Sequence, residues 1–293
     1  MIYIIIPVHN RRHYTQACLK CLSQQNYRDF KIIIVDDGST DGTAGMITQN
    51  FPDVTVLAGD GNLWWTESTN IGIQYAIQDG GINENNFILT LNDDLEVKSD
   101  YLSSLLSVYE THKPCLVGSA CVDISDPNRL EYAGSKVDLI WSGERPLSNL
   151  FEHNHQRALT YSSTIESDSL PGRGVLIPFV VFEKIGFYDS VHFKQYMADI
   201  EFSIRAKKSG YRLIVSMASI VYGHIDATGL QLKPDLSFRK FWKGLSSTRS
   251  PINLSLRYHF AMRHSPTKLL YFILDVGRIF TGYFKRRFRL NQL

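Results

Sequence analysis

Ile32-Ile33-Ile34-Val35-Asp36-Asp37-Gly38-Ser39-Thr40-Asp41 is the stretch from which the rest of the chain can be read. Four consecutive β-branched apolar residues suit a strand buried on both faces, the condition of a parallel sheet covered by helices. The acids, glycine and hydroxyl residues that follow turn the chain sharply and open a helix. The same unit recurs on both sides. Strand-like Tyr3–Ile6 precedes helical Arg12–Gln24, and Phe30–Val35 is followed by Thr40–Asn50, Val54–Leu57, Thr66–Gln78, Phe87–Leu91 and Tyr101–Thr111. This alternation predicts an α/β fold with a mostly parallel, doubly wound sheet. Such sheets bind ligands beyond the carboxyl ends of their strands. Pro7-Val8-His9-Asn10, Asp36-Asp37-Gly38-Ser39, Gly59-Asp60-Gly61-Asn62 and Asn92-Asp93-Asp94 all fall there, so successive strands deliver polar or acidic groups to one edge.

The 293 residues are 44% hydrophobic and 20% charged, which excludes disorder and low-complexity scaffolds and suffices for a large core without disulfides. Cys18 and Cys21 form a C-x-x-C, but within an apolar helical pattern, and with Cys115 and Cys121 they read as reduced core residues. Strand residues begin at Ile2 with no signal-type segment before them, so a cytoplasmic protein is expected. The net charge of +2 hides a split: residues 233–293 carry +11 and residues 1–232 carry −9. Beyond Asp123 the pattern weakens until Gly174–Phe182, after which Met197–Ser209 reads as a helix, Tyr211–Val215 as a strand, and the basic tail as two or three helices.

The usual dinucleotide and P-loop glycine fingerprints are absent, so a nucleotide would be gripped differently. A carboxylate at Asp37 can accept from a ribose hydroxyl or a base N–H, while Asp41 or Thr40 can cap the helix that follows. Asp93 and Asp94, held at the end of an apolar strand, suit a hard divalent cation bridging to phosphate oxygens; capping of the next helix is the plainer alternative. Trp64 and Trp65 can stack on a base or sugar ring or belong to the core, and of two neighbours only one is expected to meet a ligand. Gly172-Arg173-Gly174 lets backbone approach a substrate while Arg173 reaches an anion, or is a turn with an exposed arginine.

In order and spacing, Pro7-Val8-His9-Asn10, the helix end Cys21-Leu22-Ser23-Gln24-Gln25-Asn26-Tyr27, Ile34-Val35-Asp36-Asp37-Gly38-Ser39-Thr40-Asp41-Gly42-Thr43 and Asn92-Asp93-Asp94 resemble the family-2 glycosyltransferases of GT-A fold. The resemblance runs on through Gly61-Asn62-Leu63-Trp64-Trp65, Asn70-Ile71-Gly72, Leu170-Pro171-Gly172-Arg173-Gly174 and Ala198-Asp199-Ile200-Glu201-Phe202 to about residue 225, and is nearest to bacterial rhamnosyltransferase-like members. It implies inverting transfer of a sugar from a nucleotide-diphosphate donor, dTDP-rhamnose or a UDP-sugar, to a saccharide or lipid-linked acceptor in bacterial surface polysaccharide synthesis, with Mg²⁺ or Mn²⁺. By the same resemblance Pro7, Val8, Asn10, Asp37, Asn62, Trp65, Asn70, Asn92 and Asp93 bind the donor, Asp94 and His224 the metal, and Gly172 and Arg173 the acceptor, with Asp199 the general base. Two positions depart from the family pattern. Asn92 stands at the first acid of the D-x-D, shifting the metal duty onto Asp94, and Ala198 replaces the acid that often precedes the base. Glu201 rivals Asp199, but residues two apart on a helix do not share a face.

The expected organisation is a transferase domain over residues 1–232, split into a nucleotide-sugar half (1–120) and an acceptor half (121–232), with a basic helical region over 233–293. Leu269–Phe284 is interrupted by Asp275, Arg278 and glycines, too short for a membrane span. Lys285, Arg286, Arg287 and Arg289 interleave with Phe280, Tyr283, Phe284 and Phe288, which suits peripheral contact with an anionic inner membrane face or packing on the body. Nothing upstream suggests a nucleic-acid fold. A hydrolase or nucleotidyltransferase, and a non-catalytic nucleotide-sugar scaffold, are the competing classes.

Overall fold

The computed structural model describes residues 1–83, 85–224 and 237–290, with side chains described through Phe288. The expected boundary at 232/233 and the Arg289 side chain lie outside the described residues. The first half follows the predicted alternation: β1 (Ile2–Val8), α1 (Arg12–Ser23), β2 (Phe30–Asp36), α2 (Thr43–Asn50), β3 (Thr55–Ala58), α3 (Trp64–Gly80), β4 (Phe87–Thr90), β5 (Leu95–Val97) and α4 (Tyr101–His112). Next come β6 (Cys115–Asp123), β7 (Leu130–Tyr132), β8 (Ser135–Asp138), β9 (Gly143–Pro146), a 3-10 turn (Leu147–Phe151), α5 (His155–Tyr161) and β10 (Thr164–Glu166). The chain continues through β11 (Val175–Pro178), α6 (Phe179–Ile185), α7 (Ala198–Lys208), β12 (Arg212–Gly223), α8 (Phe238–Gly244), α9 (Leu254–His264) and α10 (Leu269–Leu290).

The main sheet runs β10-β12-β6-β11-β4-β1-β2-β3 and is more mixed than predicted. β3, β2, β1 and β4 are parallel, as are β6 and β12, but β11 runs antiparallel between β4 and β6. β5, β7 and β10 add further antiparallel edges. The reversal of β11 positions the site. The parallel strands bring their carboxyl ends to one edge, and β11 starts at that edge, so the turn 172–174 before it lies there, with the Gly174 amide donating to the Thr90 carbonyl at the end of β4.

Ile2 to Ile6 are at most 2% exposed, because helices cover both faces of β1. Each such side chain contributes about 1.5–3 kcal/mol. Cys18, Cys115 and Cys121 are buried, Cys21 is half-buried, and all four are free, in line with the core reading. The C-terminal helices are not a loose tail: Leu256, Phe260, Ala261 and Tyr271 join the core on one face of the sheet. Among the described residues no helix is long and apolar enough to cross a membrane.

Candidate functional site

Loops at the sheet edge are laced to one another before any substrate is considered. Asn10, at φ 53°, accepts from the Thr40 amide at 2.7 Å, and Ser39 Oγ accepts from the Asn10 amide at 2.9 Å. His9 Nδ1 lies 2.5 Å from the Asp37 carbonyl oxygen, and the Val8 carbonyl accepts from the Asp37 amide at 2.9 Å. Pro7 and Val8 pair in register with Val35 and Asp36. The tips of β1 and β2 therefore form one platform.

Asp37 does more within the chain than its sequence context suggests. Its carboxylate accepts from the amides of Gly61 (2.7 Å), Leu63 (3.0 Å) and Trp64 (3.1 Å). Three of about four acceptor positions are thereby taken in folding the 59–64 loop over the strand ends. The nucleoside contact expected of Asp37 narrows to what one remaining lone pair can do. Asn62, exposed on that loop, faces solvent. Asn70 is buried; it donates to the Tyr188 carbonyl at 2.8 Å and accepts from the Tyr188 amide at 3.1 Å, so its amide pins α3 to the loop before α7.

The two tryptophans divide their work. Trp65 Nε1 donates to Asn92 Oδ1 at 3.1 Å, and its ring lies edge-on to Tyr188 at 5.5 Å. A Cβ on Gly172 would stand 2.1 Å from Trp65 Cζ2, so only glycine allows that turn to lie against the indole. Gly172 then donates its amide to Asp199 Oδ2 at 3.0 Å, and Asp199 Oδ1 accepts from the Ile200 amide at 2.9 Å. Trp64, at φ 61°, instead lies beneath the Arg249 guanidinium at 5.4 Å, a link from the basic region to the donor-side loop that the sequence did not signal.

Asp199 is half-buried at the start of α7, and burial raises its pKa above the ordinary carboxylate range despite the two amides and nearby Arg173. Glu201 turns the other way. It is fully buried, hydrogen-bonded by Arg205 Nε at 2.9 Å and Nη2 at 2.8 Å, with His264 Nε2 3.1 Å away. Burial alone would raise its pKa, but the hydrogen bonds from His264 and Arg205 outweigh it and hold the carboxyl below its usual value. Glu201 thus ties α9 to α7. Arg173 is half-buried, with no side-chain hydrogen bond or ion pair among the described residues.

The acid pair is the most strained electrostatic spot at the edge. Asp93 and Asp94 are 5% and 4% exposed. Burial, with Asp94 adding to it, pushes the Asp93 pKa up to about 7 against the pull of Arg11. Arg11 Nη1 is 2.8 Å from Asp94 Oδ2 and 3.5 Å from Asp93 Oδ1. Burial works against the Arg11 charge, but the two acids raise its pKa. Arg11 is the residue at this edge that sequence reading missed; its signal was the Arg11-Arg12 pair just after the β1 tip in an acidic half-chain. His224 comes to the acid pair by main chain, its amide donating to the Asp94 carbonyl at 3.1 Å. Its ring instead meets Glu96 Oε1 at 3.0 Å and lies edge-on to Tyr14 at 5.1 Å. Among the described residues no group of three or more His, Cys, Asp or Glu side chains is set to hold a metal. Two acids still fit Mg²⁺ or Mn²⁺ when substrate phosphates complete the shell, and a cation there would relieve the burial cost of ionising Asp93.

Comparison with known proteins bears on this edge. Rhamnosyltransferase WbbL of Escherichia coli K12 is 25% identical over 234 residues, covering 77% of this chain and 85% of that protein. The N-acetylglucosaminyl-diphospho-decaprenol L-rhamnosyltransferase of Mycobacterium tuberculosis is 24% identical over 239 residues, 77% of each. Glycosyltransferase GlyA of Streptococcus pneumoniae is 30% identical over 106 residues, and there the match spans 36% of this chain and only 14% of the relative's length. Among solved structures, GalNAc-T7 with UDP, GalNAc and Mn²⁺ superposes with a TM-score of 0.60 at 15% identity, covering 94% of this chain and 54% of that one. The mannosyltransferase PcManGT of Pyrobaculum calidifontis with GDP-Man and Mn²⁺ gives 0.57 at 14% identity, covering 94% and 68%. These likenesses carry the GT-A fold. The family model for glycosyl transferase family 2 matches residues 3–173, which span β1 to the turn before β11 and hold the platform, the acid pair and Gly172; the chain belongs to that family.

Proposed function

We propose that this protein is an inverting, metal-dependent glycosyltransferase that moves a sugar from a nucleotide-diphosphate donor to a hydroxyl of a saccharide or lipid-linked acceptor. The observation that carries the reading is one chain of contacts, Asn92 Oδ1 to Trp65 Nε1, the Trp65 indole to Gly172, and Gly172 N to Asp199 Oδ2. It couples the acid-bearing strand end to the carboxylate that would act as base. The β1–β2 platform, with the last acceptor position of Asp37, would receive the nucleoside. Asp94, with Asp93 beside it, would hold the divalent ion, which when bound supplies charge neutralisation at the diphosphate. Arg11 stands where it can turn from the acids to a phosphate oxygen, and Arg173, without an ion pair among the described residues, offers a second cation on the acceptor side.

In the transfer, the acceptor oxygen bonds to the anomeric carbon as the carbon–oxygen bond to the diphosphate breaks, and the hydroxyl proton passes to Asp199. The raised pKa of Asp199 makes it a stronger base than an exposed aspartate, at the cost of requiring a higher pH to be ionised. A dTDP-rhamnose donor is supported by the two relatives matched over three-quarters of the chain, both named rhamnosyltransferases, with UDP-sugars next. The decaprenol-linked acceptor in one of those names supports a lipid-linked acceptor here.

The test is thermal shift and turnover with UDP-, dTDP- and GDP-sugars in Mn²⁺ or chelator, for wild type and Asp199→Asn. One donor should stabilise both proteins in the presence of metal, while turnover falls about 10²–10⁴-fold in the variant. The acid limb of wild-type kcat/KM should lie above the ordinary carboxylate value of about 4. Stabilisation by no donor, or unchanged turnover in the variant, would refute the assignment.

A further inference from the structure

The C-terminal helices present a surface that the reaction at the sheet edge does not use. α10 turns Tyr271, Asp275 and Tyr283 inward, where they are at most 5% exposed. Leu270, Ile273, Gly277, Thr281, Phe284 and Phe288, on its opposite line, are all exposed. Their spacing of three and four residues is that of one helix face, about 27 Å long at 1.5 Å per residue. α8 packs against α10 through Tyr283 and adds exposed rings of its own. Phe238 and Trp242, 51% and 59% exposed, stack at 6.0 Å, and Phe238 lies 6.4 Å from Tyr283, whose ring is 5.3 Å from Phe284.

The exposed charges described on α8 and α10 have one sign. Lys285, Arg286 and Arg287 are exposed on the turns that carry Phe284 and Phe288. Asp275, the acid of α10, is 1% exposed and occupied by Arg257 at 3.3 Å and Arg278 at 2.6 Å, so among the described residues of α8 and α10 no carboxylate offsets them. Large apolar rings in open water are costly unless something covers them. A nucleic acid would use the cations but not the aliphatic line of Leu270 and Ile273. A lipid–water interface uses both, with aromatic rings at headgroup depth and cations against anionic headgroups.

We propose that α8 and α10 together form a peripheral docking face for an anionic lipid bilayer, with α10 lying along the surface and Phe238, Trp242, Phe284 and Phe288 at the headgroup boundary. The test is sedimentation of the full chain with vesicles of phosphatidylcholine alone or mixed with phosphatidylglycerol. Wild type should partition at least tenfold more strongly onto the mixed vesicles. Trp242→Ser with Phe284→Ser should lower that partition about tenfold, and Lys285→Glu with Arg286→Glu should remove the preference for anionic lipid, each with an unchanged melting midpoint because all four side chains are exposed. A wild type that stays in the supernatant, or variants that sediment like wild type, would overturn the proposal. So would a dimer that Trp242→Ser with Phe284→Ser converts to monomer without any vesicle binding, since a second copy would then own the face.

Discussion

Two clusters in this molecule are built from the same parts, buried carboxylate against arginine, and end in opposite electrostatic states. At the junction of α7 and α9, Glu201 is met by Arg205 and His264, with Arg263 at 3.5 Å. Arg205 also donates to the carbonyls of Ile185 and Phe187, while His264 Nδ1 is the one buried polar atom of the cluster left without a partner among the described residues. At the tip of β4, two buried acids share the guanidinium of half-exposed Arg11, and Asp93 is left with a pKa of about 7. A buried charge is tolerated only when paired and hydrogen-bonded. The first cluster meets that condition from within the chain and serves stability. The second, among the described residues, has one guanidinium for two acids, a shortfall that the proposed divalent cation would make good.

The sharpest way to break the contrast is Glu201→Gln, which keeps the volume and removes the charge. Arg205 is then left without its anion, and unfolding free energy should fall by about 3–5 kcal/mol, read by urea denaturation. Turnover of the protein that remains folded should not change. The pH dependence follows from the depressed pKa of Glu201. Its stabilisation is fully present above the unfolded value of about 4.3 and is lost as pH falls through the lower folded value. Wild type and variant should therefore converge in acid and separate above it. A variant as stable as wild type at neutral pH would mean the α7–α9 cluster is no more satisfied than the β4 one.

A smaller effect is expected at Arg11. In chelator, Arg11→Gln leaves Asp93 and Asp94 facing each other and should cost about 1–3 kcal/mol. Because the acids then have no internal cation, Mn²⁺ alone should raise the melting midpoint of the variant by more than it raises that of wild type. Equal metal-induced shifts would show that Arg11 does not occupy the acids' charge.

Much of this was legible in the sequence, for reasons that differ by region. From β1 to α4 each strand is an apolar run closed by a polar turn, so the period and the turn residues point to the same elements, and the edge at Asn10, Asp37 and Asn92 follows from strand direction. β5 was missed because three residues with Glu96 in the middle carry no period, and the reversal of β11 because direction is not written in an apolar run. Asp199 was separable from Glu201 by helix geometry, whereas the reason for Glu201 was not, since its partner His264 lies 63 residues away. The bonds of Asn70 were hidden for the same reason: its amide meets Tyr188, 118 residues on, which no local spacing announces.

The last prediction reverses the sign of the first. Asp93→Asn also removes a buried carboxylate charge while keeping the side chain's shape, but here the charged form is disfavoured in the folded protein, with a pKa of about 7 against about 3.9 when unfolded. A carboxyl whose pKa is raised by folding weakens the fold wherever it must ionise. The burden is absent below the unfolded value, grows between the two values and is complete above the folded one. In chelator at pH 8, Asp93→Asn should therefore be more stable than wild type by about 1–2 kcal/mol, with the gain vanishing toward pH 4. Thermal or urea denaturation across that range measures it directly. The same variant should bind the donor more weakly in Mn²⁺, because the charge that burdens the free protein is the one proposed to hold the metal and diphosphate. Loss of stability at pH 8 would place Asp93 with Glu201, among acids that the chain satisfies by itself.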